Sequence, residues 1–238
     1  MKNTMTIATK EFKSYVSSPM AYIVIAVFLL GTGYFFATGT ATFTQTSLGG
    51  FLGNMFYVAI ILLLIAVLTM RLLAEERKLG TIELLLTAPV KDSEIILGKF
   101  LGSLGIVLVM IILTFYFPVL LYIYGDPDFG PIASSYLGLF LISCAALAIG
   151  IFASSLTSNQ IIAVVVAGGI LLGLWFLGYA TSSLPQSLGN VVGYFSLSSY
   201  WPSFVEGVID TRGIVYYLSI TVLFLFLAIR SLENSRWS

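Results

Sequence analysis

Nearly half of this chain's charged side chains lie in one stretch, RLLAEERKLGTIELLLTAPVKDSEIILGKF, residues 71–100 of 238. Arg71, Glu75, Glu76, Arg77 and Lys78 open it, Glu83 stands in a leucine run, and Lys91, Asp92, Glu94 and Lys99 close it. Such a cluster could serve a nucleotide, a metal, a histidine-assisted reaction or a docking contact, and the rest of the chain narrows the choice. There is no histidine, which removes imidazole activation of nucleophiles and imidazole metal ligands. The one cysteine, Cys144, sits within an apolar run; internal disulfides and thiolate clusters are excluded, and a small packing residue is expected. The only Gly-Lys pair, Gly98-Lys99, is followed by Phe100, whereas a phosphate-binding loop needs Ser or Thr there. Contact is the use that fits.

The local pattern gives that contact a shape. RLLAEERK continues the preceding apolar run as a helix for a turn or two, and Gly80 then breaks it. Thr81 can cap a short new helix, IELLLTA, which Pro89 and the extended preference of Ala88 before it bring to an end. On it Ile82, Leu85 and Leu86 share a face by i, i+3, i+4 spacing, with Leu84 beside them and Glu83 and Thr87 elsewhere. Asp92 or Ser93 restarts a helix. A helix of this kind can lie on a membrane with its leucines in lipid or fill a groove on a cytoplasmic partner, and periodicity leaves both open.

The elements around the stretch follow from composition. With 58% hydrophobic and 9% charged residues and a mean hydropathy of +1.02, the chain has too little polar surface to cover a water-soluble globule. Six runs, 20–39, 51–70, 100–124, 132–156, 160–180 and 213–229, are long enough for a hydrocarbon core of roughly 30 Å, which takes about 20 helical residues. They are continuous rather than alternating, so the expected fold is an all-α polytopic bundle of six transmembrane helices in a single domain, 1–238. The first run is too long for a signal peptide's apolar region and is read as retained.

Of the eleven Lys and Arg residues, all but Arg212 fall on one side of these spans, which places both termini and the 71–99 loop in the cytoplasm. Residues 40–50, the turn GDPDFGP and the segment 181–212 fall outside, the last long and apolar enough to hold re-entrant or interfacial helices buried against protein. Tyr34, Phe35, Tyr122, Tyr124, Tyr136, Trp175, Tyr179, Tyr216 and Tyr217 sit near the outer ends, as an interfacial belt would. No span carries Asp, Glu, Lys or Arg away from its ends, which disfavours an ion-coupled carrier and suggests that energy enters from outside the membrane.

Two further features concern packing. Residues 1–19 form an expected interfacial helix with Met5, Ala8, Phe12, Tyr15 and Val16 on one face. Small residues recur every four positions, at Ala146, Gly150, Ser154 and Ser158, at Gly169 and Gly173, and at Gly98 and Gly102, a spacing that lets helices approach closely within the bundle.

The stretch EERKLGTIELLLTAPVKDSEIILGK resembles the first cytoplasmic loop of ABC-2 type permeases, the membrane subunits of a class of ATP-binding-cassette transporters. Glu75, Glu76, Arg77, Gly80, Thr81, Glu83, Leu85, Leu86, Pro89, Gly98 and Lys99 occupy its motif positions. SFVEGVIDTRGIVYYLSI, residues 203–220, is similar to permeases of the gliding-motility and nitrous-oxide-reductase-maturation group, with Gly213 where an Asp is expected after the Arg.

The resemblance implies an exporter-type permease in the bacterial plasma (inner) membrane that pairs with itself or a paralogous permease. It binds ABC ATPase subunits through Glu75, Glu76, Arg77, Gly80, Thr81, Ile82, Glu83, Leu85, Leu86 and Pro89. Helix 82–88 would be the coupling helix. ATP and magnesium would belong to the partner ATPase, with no cofactor, catalytic residue, metal or nucleic acid on this chain and lipid as its surroundings. Spans two and five would line the cleft between permeases, bringing Asn54, Tyr57, Gln160 and the span-five glycines near it. The alternative is an ATP-independent carrier or a structural membrane scaffold.

Overall fold

Long apolar runs in which backbone groups must satisfy one another fold as helices, and a computed structural model describes residues 2–42, 52–81, 90–124, 127–181 and 185–235 in that form. In chain order the helices are α1 (Lys2–Val16), α2 (Pro19–Thr42), α3 (Met55–Thr69), α4 (Arg71–Lys78), α5 (Asp92–Leu113), α6 (Tyr116–Tyr124), α7 (Phe129–Ser155), α8 (Gln160–Ala180), α9 (Gln186–Tyr194), α10 (Trp201–Val205) and α11 (Thr211–Ser235). Six helical stretches are long and apolar enough to cross a membrane: Pro19–Gly39, Met55–Lys78, Asp92–Ile123, Phe129–Ser155, Gln160–Ala180 and Thr211–Asn234. Among the described residues there is no strand.

The centre is α7. Small residues on every side of it, including Ala145, Ala146, Ala148, Gly150 and Ser154, admit neighbours closely, and 83% of its most apolar stretch is buried, against 22% for the first span. Helices α3, α4, α5, α8, α10 and α11 all pack on it. Gly138 admits the ring of Phe204, and the hydroxyls of Ser134 and Ser135 donate to the Phe204 carbonyl at 2.6 and 3.2 Å, fixing α10 against α7. Phe204 also fills the space over Gly213, where a Cβ would come within 2.8 Å of the ring.

Two spans are jointed where the sequence suggests unbroken helices. The third is interrupted at Thr114, four residues before Pro118, which has no N–H for that residue's carbonyl; the carbonyl accepts instead from the Phe117 N–H at 3.0 Å and the Tyr136 hydroxyl at 2.9 Å. The second is interrupted at Met70, between α3 and α4.

The aromatic belt is also smaller than its sequence suggests. Tyr34, Tyr122 and Tyr179 are exposed, but Trp175 and Tyr217 are fully buried and serve as ties between segments. Trp175 Nε1 donates to the Met55 carbonyl at 3.2 Å and the Tyr217 hydroxyl to the Leu197 carbonyl at 2.8 Å. Residues 181–212 hold α9 and α10; α10 buries Trp201 and Phe204, whereas Val191, Tyr194 and Phe195 at α9 stay exposed.

Candidate functional site

The charged stretch gathers where α1, α4 and the start of α5 meet. α4 prolongs the second span, turns its apolar residues Leu72, Leu73 and Ala74 into the core, and leaves Glu75, Glu76, Arg77 and Lys78 at its far end. It stops at Leu79, whose N–H reaches the Glu75 carbonyl at 3.0 Å, and Gly80 follows at φ +69°, a left-handed conformation that favours glycine. The Thr81 hydroxyl, expected to cap the next helix, donates to the Glu76 carbonyl behind it at 3.3 Å. Ile82, Glu83, Leu85, Leu86 and Pro89 lie outside the described residues. On the far side of that gap α5 begins at Asp92, with the Glu94 carboxylate accepting from the Lys91 N–H at 3.3 Å.

Ionic and polar contacts run both within and between these helices. Lys99 is 2% exposed, and its ammonium pairs with Glu76 of α4 at 2.7 Å and Glu11 of α1 at 3.5 Å. Arg71 pairs with Glu75 one turn on, at 2.9 Å, and donates to Ser18 Oγ at 3.0 Å, just before α2. At the open end Asn3 Nδ2 donates to Glu94 at 3.2 Å. Arg77 Nε is buried without a hydrogen-bond partner among the described residues. A polar groove of about 260 Å³ runs between α1 and α4, walled by Lys10, Glu11, Ser14, Arg71, Glu75 and Glu76.

α1 reaches this cluster over a track of glycines on α5. A Cβ at Gly98 would lie 2.7 Å from Ile7, one at Gly102 2.7 Å from Glu11, and one at Gly105 2.8 Å from Phe12. The face of α1 read from the sequence is thereby divided: Ala8 and Tyr15 are buried against protein, while Met5 and Val16 are exposed. The Tyr15 hydroxyl donates to the Leu68 carbonyl at 2.7 Å, and burial pushes its phenol well above the ordinary tyrosine range.

The joint at Met70 is held from α7. The N–H groups of Leu73 and Ala74 donate to Ser154 Oγ at 3.1 and 3.0 Å, and that hydroxyl donates to the Met70 carbonyl at 3.1 Å. One side chain thus stands inside the backbone ladder of the second span, a recognised cause of helix bending. One turn earlier, Gly150 leaves room for Thr69, whose hydroxyl a methyl group there would strike.

The sequence-derived residues therefore separate. Glu75 and Glu76 turn to the chain's own cations, Arg71 and Lys99. Ala146, Gly150 and Ser154 pack inside the bundle. Packing within the bundle does not extend to Gly169 and Gly173: a Cβ at either would meet nothing within 4 Å among the described residues, because that face of α8 points outward with Ile161 and Val165. Tyr57 is buried beside Thr32, so Phe56, Ile60 and Leu63 are the exposed residues of α3. Sequence reasoning missed Glu11, Ser18 and the role of Lys99. The spacing of Gly98 and Gly102 did signal a close neighbour, without saying which helix it would be.

Residues 5–184 match the sequence model of a family described as ABC-2 family transporter protein. No curated protein matches the chain.

Proposed function

The chain belongs to the ABC-2 family of transporter proteins, and from that premise we propose that it transmits the movement of a separate ATPase into a membrane cleft. It is a multi-pass membrane protein, a permease subunit of the ABC transporter class. On this reading helix 82–88 seats in a groove of the nucleotide-binding subunit, and closure of two such subunits on ATP and magnesium tilts the second and third spans. A second permease, identical or paralogous, packs across the outward faces of α3 and α8, and the movement reshapes the cleft between them for export. Ten of the eleven cations would face the cytoplasm of a bacterial cell. On this reading the chain falls in the gliding-motility and nitrous-oxide-reductase-maturation group, supported by the likeness of residues 203–220; Phe204 packing over Gly213 is compatible with the missing Asp, since a side chain there needs room the ring occupies.

What supports transmission is the continuity of the charged end with the core: the arm α4 is pinned to α5 through Glu76 and Lys99 and jointed to its span at Met70. The test is to purify the tagged chain from its native host and identify what accompanies it. An ABC ATPase in stoichiometric amount is expected, with nucleotide hydrolysis that the membrane subunit alone lacks. Purification without any ATPase, from gently solubilised membranes in which the chain is intact, would return the reading to an ATP-independent carrier or scaffold.

A further inference from the structure

The transmission scheme above uses Lys99 only as the pin between α4 and α5, which leaves the burial of its charge unexplained, and that position is costly. An ammonium withdrawn from water is disfavoured unless paired, and an apolar side chain of similar length would fill a helix seam without that cost. The cation therefore calls for a reason in its partners. These come from different helices: Glu76 of α4 at 2.7 Å and Glu11 of α1 at 3.5 Å, with Lys99 itself on α5. α4 leads into residues 82–89 and α5 leads out of them, so the Lys99 to Glu76 pair closes the base of that loop. The pair with Glu11 adds α1, and the glycines at 98, 102 and 105 give α1 the close seat on α5 that brings Glu11 within reach. Asn3 and Glu94 make a second link between α1 and α5 nearer the loop.

We propose that Lys99 is a positioning residue, the tie that makes α1, α4 and the start of α5 one rigid lever, so that a push on the 82–89 loop moves the second and third spans together. This rests on the transmission reading for its purpose but not for its geometry. Without the tie, each arm of the loop could yield separately and the push would be absorbed between them. Glu76 is the principal partner because its oxygen is nearer, and Glu11 holds the ammonium from the opposite side.

The experiment places spin labels at Leu79→Cys and Lys91→Cys, exposed positions flanking the loop, in a Cys144→Ala background of the full chain in detergent. The unaltered lever should give one narrow distance peak, the same without nucleotide and in the ATP-bound complex. Lys99→Met should lose the narrow peak, and the exchanged pair Lys99→Glu with Glu76→Lys, made together with Glu11→Gln so that no second carboxylate faces the new one, should recover it, a rescue that restores the ionic link without the original side chains. Solubilised yield and thermal unfolding are followed alongside. If Lys99→Met does not fold, Glu76→Ala decides, since that side chain is one-quarter exposed and its removal leaves the Lys99 ammonium its Glu11 partner: loss of the peak supports the tie and an unchanged peak overturns it. A narrow peak in Lys99→Met, or failure of the exchanged pair to recover a lost one, also overturns it. The nucleotide-free measurement needs no ATPase, so absence of a copurifying ATPase would remove the transmission reading while leaving the tie decided by the labels.

Discussion

A single serine hydroxyl holds the joint of the second span, because two backbone N–H groups and one carbonyl meet at Ser154. Ser154→Ala removes an acceptor that the buried Leu73 and Ala74 amides use, and leaving such groups unsatisfied costs about 1–3 kcal/mol. The expected result is a lower unfolding temperature in detergent than for Ser143→Ala, whose hydroxyl, among the described residues, donates only to the Leu139 carbonyl in its own helix. The glycines separate in the same way. Gly102→Val puts a Cβ within 2.8 Å of the Ala8 carbonyl and should lift α1 from α5, whereas the Cβ of Gly169→Val has nothing within 4 Å among the described residues. A disulfide between Asn3→Cys and Glu94→Cys, in the Cys144→Ala background, reads the seat: it should form with Gly169→Val and fail with Gly102→Val. Equal yields of the cross-link would show that the glycine track does not set the position of α1.

At the scale of elements the question is what the leucines of the helix expected over 82–88 would touch. If Leu85 fills an apolar groove on the ATPase, Leu85→Asp buries a carboxylate there, which typically costs several kcal/mol without a partner. The six spans do not depend on that residue, so solubilised yield should stay normal while ATPase copurification is lost. Glu83→Ala should weaken coupling while sparing the apolar seat. A helix resting on lipid predicts another outcome, since a local loosening would leave a distant contact intact. Normal yield with undiminished ATPase recovery from Leu85→Asp would sink the coupling-helix assignment.

For the whole molecule, the charge distribution carries the expected orientation and source of energy, and both can be tested. Cysteines introduced at Ser47 or Ser187 should react with an impermeant thiol reagent in intact cells, and one at Ser93 should not. Labelling at Ser93 would reverse the topology. Because the apolar runs carry no Asp, Glu, Lys or Arg away from their ends, activity in ATP-loaded proteoliposomes should survive a protonophore. Collapse of activity under that treatment, with ATP still present, would favour the carrier.

Six apolar helices were legible because spanning a hydrocarbon core requires about 20 apolar residues in succession and internally satisfied backbone groups, properties carried by each segment alone. The breaker at Gly80, the restart at Asp92 and the small-residue approach at Gly150 were legible for the same reason, each being a local demand on a residue type. Which face of each helix turns inward was not. In a bilayer an apolar side chain suits lipid and core alike, so periodicity carries little information about rotation. The sequence thus offers equivalent signals for Gly150, which admits Thr69, and Gly169, which faces outward, and for Tyr34 in the open and Tyr217 in the core. Lys99 shows the same limit for charge. A lysine beside a span reads as a solvated end, and only the close seat of α1 on α5 and the two carboxylates that Glu11 and Glu76 bring up to the ammonium make it a buried tie.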